Sequence, residues 1–246
     1  MCRRIEVNNL KQKICSFKKL QSIFDINEID LENIREKDRP LIFLININNF
    51  NFNLELNEIL IETEIERLNK FKNSGDKKRF VLNRAVTRII IGKILKKHPK
   101  KVDIEYNYYG KPYIDEKYKL EFSVSHSNEY IAVVFCKNRV GIDIEHIVKD
   151  IDYIGIAENY FNEIEFNQLI KLESRNKLVR FYQLWTSKES YVKAIGYGLS
   201  YSIKDVFISN ATYGENSLFD VKSNKGVHVY IFEINKYYVG ALACMN

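Results

Sequence analysis

The chain has 246 residues, 46% hydrophobic, 13% aromatic and 28% charged, a composition that builds a folded domain with a sizeable core. Its 38 Lys and Arg exceed its 32 Asp and Glu, for a net charge of +6, so an anionic partner fits. Three Pro and ten Gly exclude collagen-like and linker-type chains. No apolar run approaches the ~18 residues of a membrane span, so a soluble protein without a membrane partner is expected.

The stretch from Met1 to Asn9 is charged and lacks the apolar core of an export signal. Cys2, Cys15, Cys136 and Cys244 are scattered, with no CxxC or His-Cys grouping. That argues against a zinc site and a disulfide framework, and for a reducing cytoplasm. Residues 1–40 read as an N-terminal extension. Residues 41–47 then form an apolar run of strand length, interrupted only by Asn46, and 58–70 places Ile61, Ile65 and Leu68 at helical spacing. Residues 76–97 carry a longer amphipathic pattern whose inner face holds Phe80, Leu82, Ala85, Val86, Ile89, Ile90 and Ile94. Asp76 is its expected N-cap and His98-Pro99 its stop. The cations Arg67, Lys70, Lys72, Lys77, Lys78, Arg79, Arg84 and Arg88 gather here, mostly as a solvated helix face.

Residues 121–125 and 130–136 read as strands joined by the polar turn His126-Ser127-Asn128-Glu129, and 139–145 as a third strand. Helical stretches follow at 153–161, 164–172 and 178–195, the last ended by Gly196. Antiparallel strands are then expected at 205–208, 218–222, 227–234 and 237–243. Strand, helices and strands thus occur twice. The order predicts an α+β fold of two halves, residues 41–140 and 141–246, without a residue-level repeat.

Four segments could carry chemistry. In Gly141-Ile142-Asp143-Ile144-Glu145, strand geometry puts both acids on one face and both isoleucines in the core. Two carboxylates about 4 Å apart repel by up to ~4 kcal/mol at an effective dielectric of ~20, which water or a cation must relieve. Trp185, Glu189 and Lys193 are spaced by four and share a helix face. If Glu189 meets the strand acids, three oxygen ligands suit Mg²⁺. Ser123 to Ser127 place small hydroxyls and His126 in the expected turn, where a phosphate could dock. Tyr109-Gly110-Lys111-Pro112 is a tight turn with a lysine. No P-loop, GxSxG, HExxH or GxGxxG occurs. Taken singly, each segment also reads plainly, as a solvated strand edge, an ordinary helix ion pair or a surface turn. A nucleic-acid-binding protein and a Mg²⁺-dependent nuclease using the same acids stay open here, although no recognition-helix, RNP or finger signature is present.

In order along the chain, Tyr109-Gly110-Lys111-Pro112, Phe122-Ser123-Val124-Ser125-His126-Ser127, Gly141 to Glu145, and Phe181 to Lys193 with its Trp-Thr-Ser-Lys-Glu-Ser core resemble the motif series of the Sfp-type 4′-phosphopantetheinyl transferases. Gly196-Tyr197-Gly198-Leu199-Ser200 and the helix opened by Asp76-Lys77-Lys78-Arg79-Phe80 extend the likeness over residue 41 to the C-terminus. The resemblance implies a monomer of two pseudo-symmetric α+β halves with the active site in the cleft between them. It implies transfer of the 4′-phosphopantetheine arm of coenzyme A to a serine of an apo acyl or peptidyl carrier protein, with release of adenosine 3′,5′-bisphosphate. Such carriers serve fatty-acid, polyketide and nonribosomal peptide synthesis and are usually acidic, so the basic surplus would serve a nucleotide cofactor and an acidic protein rather than nucleic acid.

Carried over by position, Asp143, Glu145 and Glu189 look like Mg²⁺ ligands, and Lys193 like the lysine that meets the pyrophosphate. Ser125 and His126 look like contacts to coenzyme A phosphates, and Lys111 with Pro112 like the adenine-end turn. Arg67, Lys70 and Arg79 occupy the region that supplies cations to the 3′-phosphate, and Glu165 matches a further acid near the cleft. Glu189, directly or through water, is then the candidate base. Ile144 offers no ligand where some relatives carry a polar side chain, so the ion would hold one more water.

Overall fold

Apolar residues run unbroken through positions 41–45 because the strand they form is covered on both faces. The computed structural model describes residues 15–22, 24–27, 29, 31, 34–36, 38–51 and 55–245; the export-signal reading at Met1 to Asn9 and the reading of Cys2 fall outside them. Strand β1 (Ser16–Leu20), from the N-terminal stretch, pairs parallel with β2 (Leu41–Asn46). After short turns of helix at α1 (Phe24–Asn27) and α2 (Glu55–Glu58) come α3 (Glu62–Lys70) and α4 (Ser74–Leu95). A two-residue ladder of β3 (Glu105–Tyr106) with β4 (Pro112–Tyr113) leads into the hairpin of β5 (Glu121–Ser127) and β6 (Tyr130–Cys136). The first sheet has the order β1-β2-β6-β5.

Strand β7 (Val140–His146) starts the second half, followed by α5 (Tyr153–Tyr160), α6 (Glu163–Ile170) and α7 (Ser174–Ile195). Strands β8 (Val206–Ile208), β9 (Gly214–Asp220), β10 (Lys225–Asn235) and β11 (Tyr238–Cys244) complete an antiparallel sheet of order β7-β11-β10-β9-β8. The molecule is thus α+β, in two halves. Period-two alternation sorts the side chains into layers. Phe43, Ile45, Val133 and Phe135 pack against Phe80, Val86 and Ile90 of α4, and Val229, Ile231 and Val239 against Tyr191 and Ala194 of α7. The other faces of the two sheets meet through Ile42, Leu44, Val134, Ile142, Ile144 and Phe232. No helix among the described residues is long and apolar enough to cross a membrane.

Four local expectations change. Helix α4 is capped by Asn73, whose Oδ1 accepts from the N–H groups of Gly75 and Asp76, so Asp76 lies inside the first turn. The helix ends where Lys96 turns left-handed (φ 55°), ahead of His98-Pro99. The hairpin turn is only Asn128-Glu129, with Asn128 at φ 47°, a conformation asparagine tolerates better than most residues. His126 and Ser127 therefore belong to a strand rather than a turn. Arg88, grouped with the solvated cations, is buried, and its Nε donates to Glu64 at 2.8 Å. It faces inward because a carboxylate and two carbonyls wait for it there.

Candidate active site

Gly141 brings the two functional elements together. A Cβ at this position would stand 2.0 Å from the Ser190 carbonyl oxygen and 2.4 Å from the Ala194 nitrogen, so only glycine lets α7 lie this close on β7. With Gly141 under the helix, residues 143 and 145 share its face of the strand, directly below Glu189 and Lys193. Ile142 and Ile144 point the other way and are fully buried between the sheets.

The result is a cavity of about 290 Å³ lined by Val124, Ser125 and His126 of β5, Asp143 and Glu145 of β7, and Trp185, Glu189 and Lys193 of α7. Each wall comes from a different element, and β5 belongs to the other half of the chain. Trp185 is fixed by stacking on Phe181 and by an edge contact with Tyr160. Asp143 is 3% exposed. Its Oδ1 accepts from Ser125 Oγ at 2.9 Å and from Lys193 Nζ at 2.7 Å, and Lys193 also donates to Ser125 Oγ at 2.9 Å. Its Oδ2 is buried with no hydrogen-bond partner, an arrangement that costs ~1–3 kcal/mol or more for a charged group. Glu145 Oε2 accepts from Ser127 Oγ at 2.8 Å.

The electrostatics follow from three acids around one cavity. Burial, then the negative charge of Asp143, push Glu145 up to about 7 against the opposing pull of the Ser127 hydroxyl and Lys193. Glu189 is raised in the same way, by burial and then Asp143. His126 sits at the mouth, where lost hydration and the charges of Arg79 and Lys193 lower its pKa and favour the neutral ring. Among the described residues no three such side chains converge tightly enough to enclose an ion as they stand. The donor set nevertheless fits a hard cation: carboxylates on one cavity, one of them with a buried oxygen left over.

The remaining predicted residues divide. Lys111 does not line the cavity but ties to the end of α7, with its Nζ donating to the Ala194 carbonyl at 2.9 Å and lying 3.5 Å from Glu121, and burial lowers its pKa. Pro112 sits in the β3–β4 ladder opposite Tyr106. Arg79 pairs with Asp76 at 2.7 Å and reaches the field of His126. Arg67 lies over the Phe80 ring and Lys70 at the exposed end of α3; neither lines the cavity. Glu165 does not join the site. It is 1% exposed, its Oε1 accepts from the Ile208 N–H, and its Oε2 accepts from the Asn162 N–H and the Lys188 ammonium. Both oxygens are used in holding α6, α7 and β8 together.

Two residues to which the motifs gave no role of their own are built into the site. Asn107 Oδ1 accepts from the N–H groups of Tyr109 and Lys111, while its Nδ2 donates to the Gly196 carbonyl at 2.7 Å. It shapes the Gly110 turn and ties it to the end of α7. Ser127 is the other. The alternation Ser123, Ser125, Ser127 along a strand was the available signal for it.

Two family models match the chain: "4'-phosphopantetheinyl transferase, N-terminal" over residues 46–138 and "4'-phosphopantetheinyl transferase superfamily" over residues 139–243. The chain is 34% identical over 164 residues to the 4'-phosphopantetheinyl transferase gsp of Aneurinibacillus migulanus, covering 67% of this chain and 66% of that one. It is 31% identical to the 4'-phosphopantetheinyl transferase HetI of Nostoc, over 59% and 63% of the two chains. It is 27% identical to the 4'-phosphopantetheinyl transferase Sfp of Bacillus subtilis, over 74% and 80%. The matched segment thus spans slightly under two thirds of the gsp and HetI lengths.

Proposed function

Because the chain belongs to the 4′-phosphopantetheinyl transferase superfamily, and to its Sfp type, we propose that it moves the 4′-phosphopantetheine arm of coenzyme A onto a serine hydroxyl of an apo acyl or peptidyl carrier protein, releasing adenosine 3′,5′-bisphosphate. The observation that carries this reading is the unpaired, buried Asp143 Oδ2 in a cavity shared with Glu145, Glu189 and Lys193. An anionic pyrophosphate cannot approach three carboxylates without a counter-charge, and a divalent cation supplies one. Held by Asp143, Glu145 and Glu189, Mg²⁺ would neutralise the pyrophosphate and polarise the phosphorus under attack.

The chain's own groups divide the remaining work. Glu189, on the cavity wall beside Lys193, would accept the proton of the incoming carrier serine, directly or through water, as the serine oxygen bonds to phosphorus. Lys193, steered by Ser125 and Asp143, stabilises and protonates the phosphate oxygen that departs. Neutral His126 offers a ring N–H to the phosphates at the cavity mouth, beside Ser125, whose hydroxyl proton is held by Asp143. Arg79 behind His126, with Arg67 and Lys70 farther out, gives the 3′-phosphate a positive approach. Lys111 and Pro112 shape the far end of the cleft, where Asn107 anchors the turn for the adenine. The same reading takes the enzyme as a cytoplasmic monomer acting on an acidic protein.

Incubating the protein with coenzyme A, Mg²⁺ and a panel of apo carrier proteins should add one phosphopantetheine to the carrier serine, seen by intact-mass spectrometry. Chelation should stop the transfer. No adduct on any carrier would reject the reading, and cleavage of nucleic acid without coenzyme A would replace it with the nuclease alternative.

A further inference from the structure

Strands β5 and β7 are edge strands of different sheets, and an edge normally exposes unpaired N–H groups. Here they lie side by side in the same direction, with no backbone ladder between them. The N–H groups of Ile142, Ile144 and His146 donate instead to the hydroxyls of Ser123 (3.2 Å), Ser125 (3.3 Å) and Ser127 (3.0 Å), always 19 residues back in the chain. The three serines stand where the carbonyls of a continuous sheet would stand.

A hydroxyl differs from a carbonyl in having a proton left to give. Ser125 gives it to Asp143 at 2.9 Å and Ser127 gives it to Glu145 at 2.8 Å. Each of these rungs therefore holds two adjacent residues of β7: the side chain of the acid and the backbone N–H after it. The carboxylate direction is locked to the register of the two halves.

We propose that Ser127 is a positioning residue that aims the Glu145 carboxylate at the cation. The hydroxyl is taken on both sides by the protein, so it acts through Glu145 rather than on substrate. This inference rests on the transferase reading above. Ser123 is the internal control, because residue 142, whose N–H it accepts, follows glycine rather than an acid.

The test is calorimetric titration of Mg²⁺ into the full-length protein with coenzyme A, together with thermal melts. Ser127→Val should weaken the ion by about 10-fold, as loss of an outer hydrogen bond to a ligand typically does, while the isosteric Ser127→Thr stays within about twofold. Ser123→Ala should lower the melting point without changing ion affinity. At saturating Mg²⁺, kcat of Ser127→Val should recover most of its value, leaving the deficit in the Mg²⁺ requirement. Wild-type ion affinity in Ser127→Val, or equal weakening in Ser127→Val and Ser123→Ala, would overturn the role and leave the transferase reading standing. Failure of the unaltered protein to bind Mg²⁺, with no carrier adduct, would overturn both. If Ser127→Val does not fold, Ser127→Ala replaces it against the same control.

Discussion

Helices α4 and α7 are both 22 residues long, lie on the outer faces of their sheets, and each buries a cation. Arg88 of α4 meets Glu64 and the carbonyls of Pro99 and Val102. Lys188 of α7 meets Glu165 and the carbonyls of Ile203 and Val206. In both cases the glutamate is the third residue of the preceding helix and also accepts the N–H of the residue before that helix. The two halves share this device although no sequence repeat announces it. Helix α7 differs by a second row, Trp185, Glu189 and Lys193, facing the cavity. There the charges are incompletely matched, and Asp143 keeps an oxygen without a partner. A satisfied buried ion pair holds structure; an unsatisfied one beside a cavity is where a ligand can gain energy.

Substitutions that separate the two rows break the comparison most sharply. Asp143→Ala or Glu189→Ala should lower transfer by on the order of 10⁴-fold, a barrier increase of ~5.5 kcal/mol, with circular dichroism and melting point close to those of the parent. Near-parental activity in both variants at ordinary Mg²⁺ would remove these acids from the chemistry. In the structural row the expected loss is of stability. Lys188→Met should destabilise by about 3–5 kcal/mol, because Glu165 is left buried without its cation, and Arg88→Met should do the same to the first half. Denaturant unfolding measures both, and a cost under about 1 kcal/mol in either would mean that the two devices are not equivalent.

The smallest effect is on pH dependence. The folded pKa of Glu145, about 7, lies above its ordinary carboxylate value, so the native state holds the proton more tightly than the unfolded chain. Its contribution is present at pH 4 and is lost as the pH rises through 7. Without divalent ions, the melting point should therefore fall between pH 5 and 8. Glu145→Gln should flatten that fall, and a slope identical to the parent's would show that another group is responsible.

The Asp143–Glu145 pair was legible because a strand puts i and i+2 on one face, and Trp185, Glu189 and Lys193 because a helix stacks every fourth residue. Both arrangements are set by neighbours in the chain. From residue 41 onward, period alone placed most elements and errors gathered at ends, where one side chain or one φ decides: Asn73 rather than Asp76 as cap, Lys96 as terminator, a two-residue turn after Ser127; β1, inside the stretch read as an extension, left no such pattern. Arg88 was misread as solvated, and Glu165 as part of the cleft, because the partner that buries each lies more than twenty residues away. The hydroxyls of Ser123, Ser125 and Ser127 could be seen to alternate, but not to face β7.

By itself, then, the sequence determined the elements, their order and the faces on which the reactive side chains lie, since local backbone geometry controls all three. Only the tertiary structure decided which charges are matched. Two edge strands had to meet through serines, and Gly141 had to admit α7, before one oxygen of Asp143 was left buried and unpaired. Burial and pairing depend on distant segments excluding water together, and no local pattern records that.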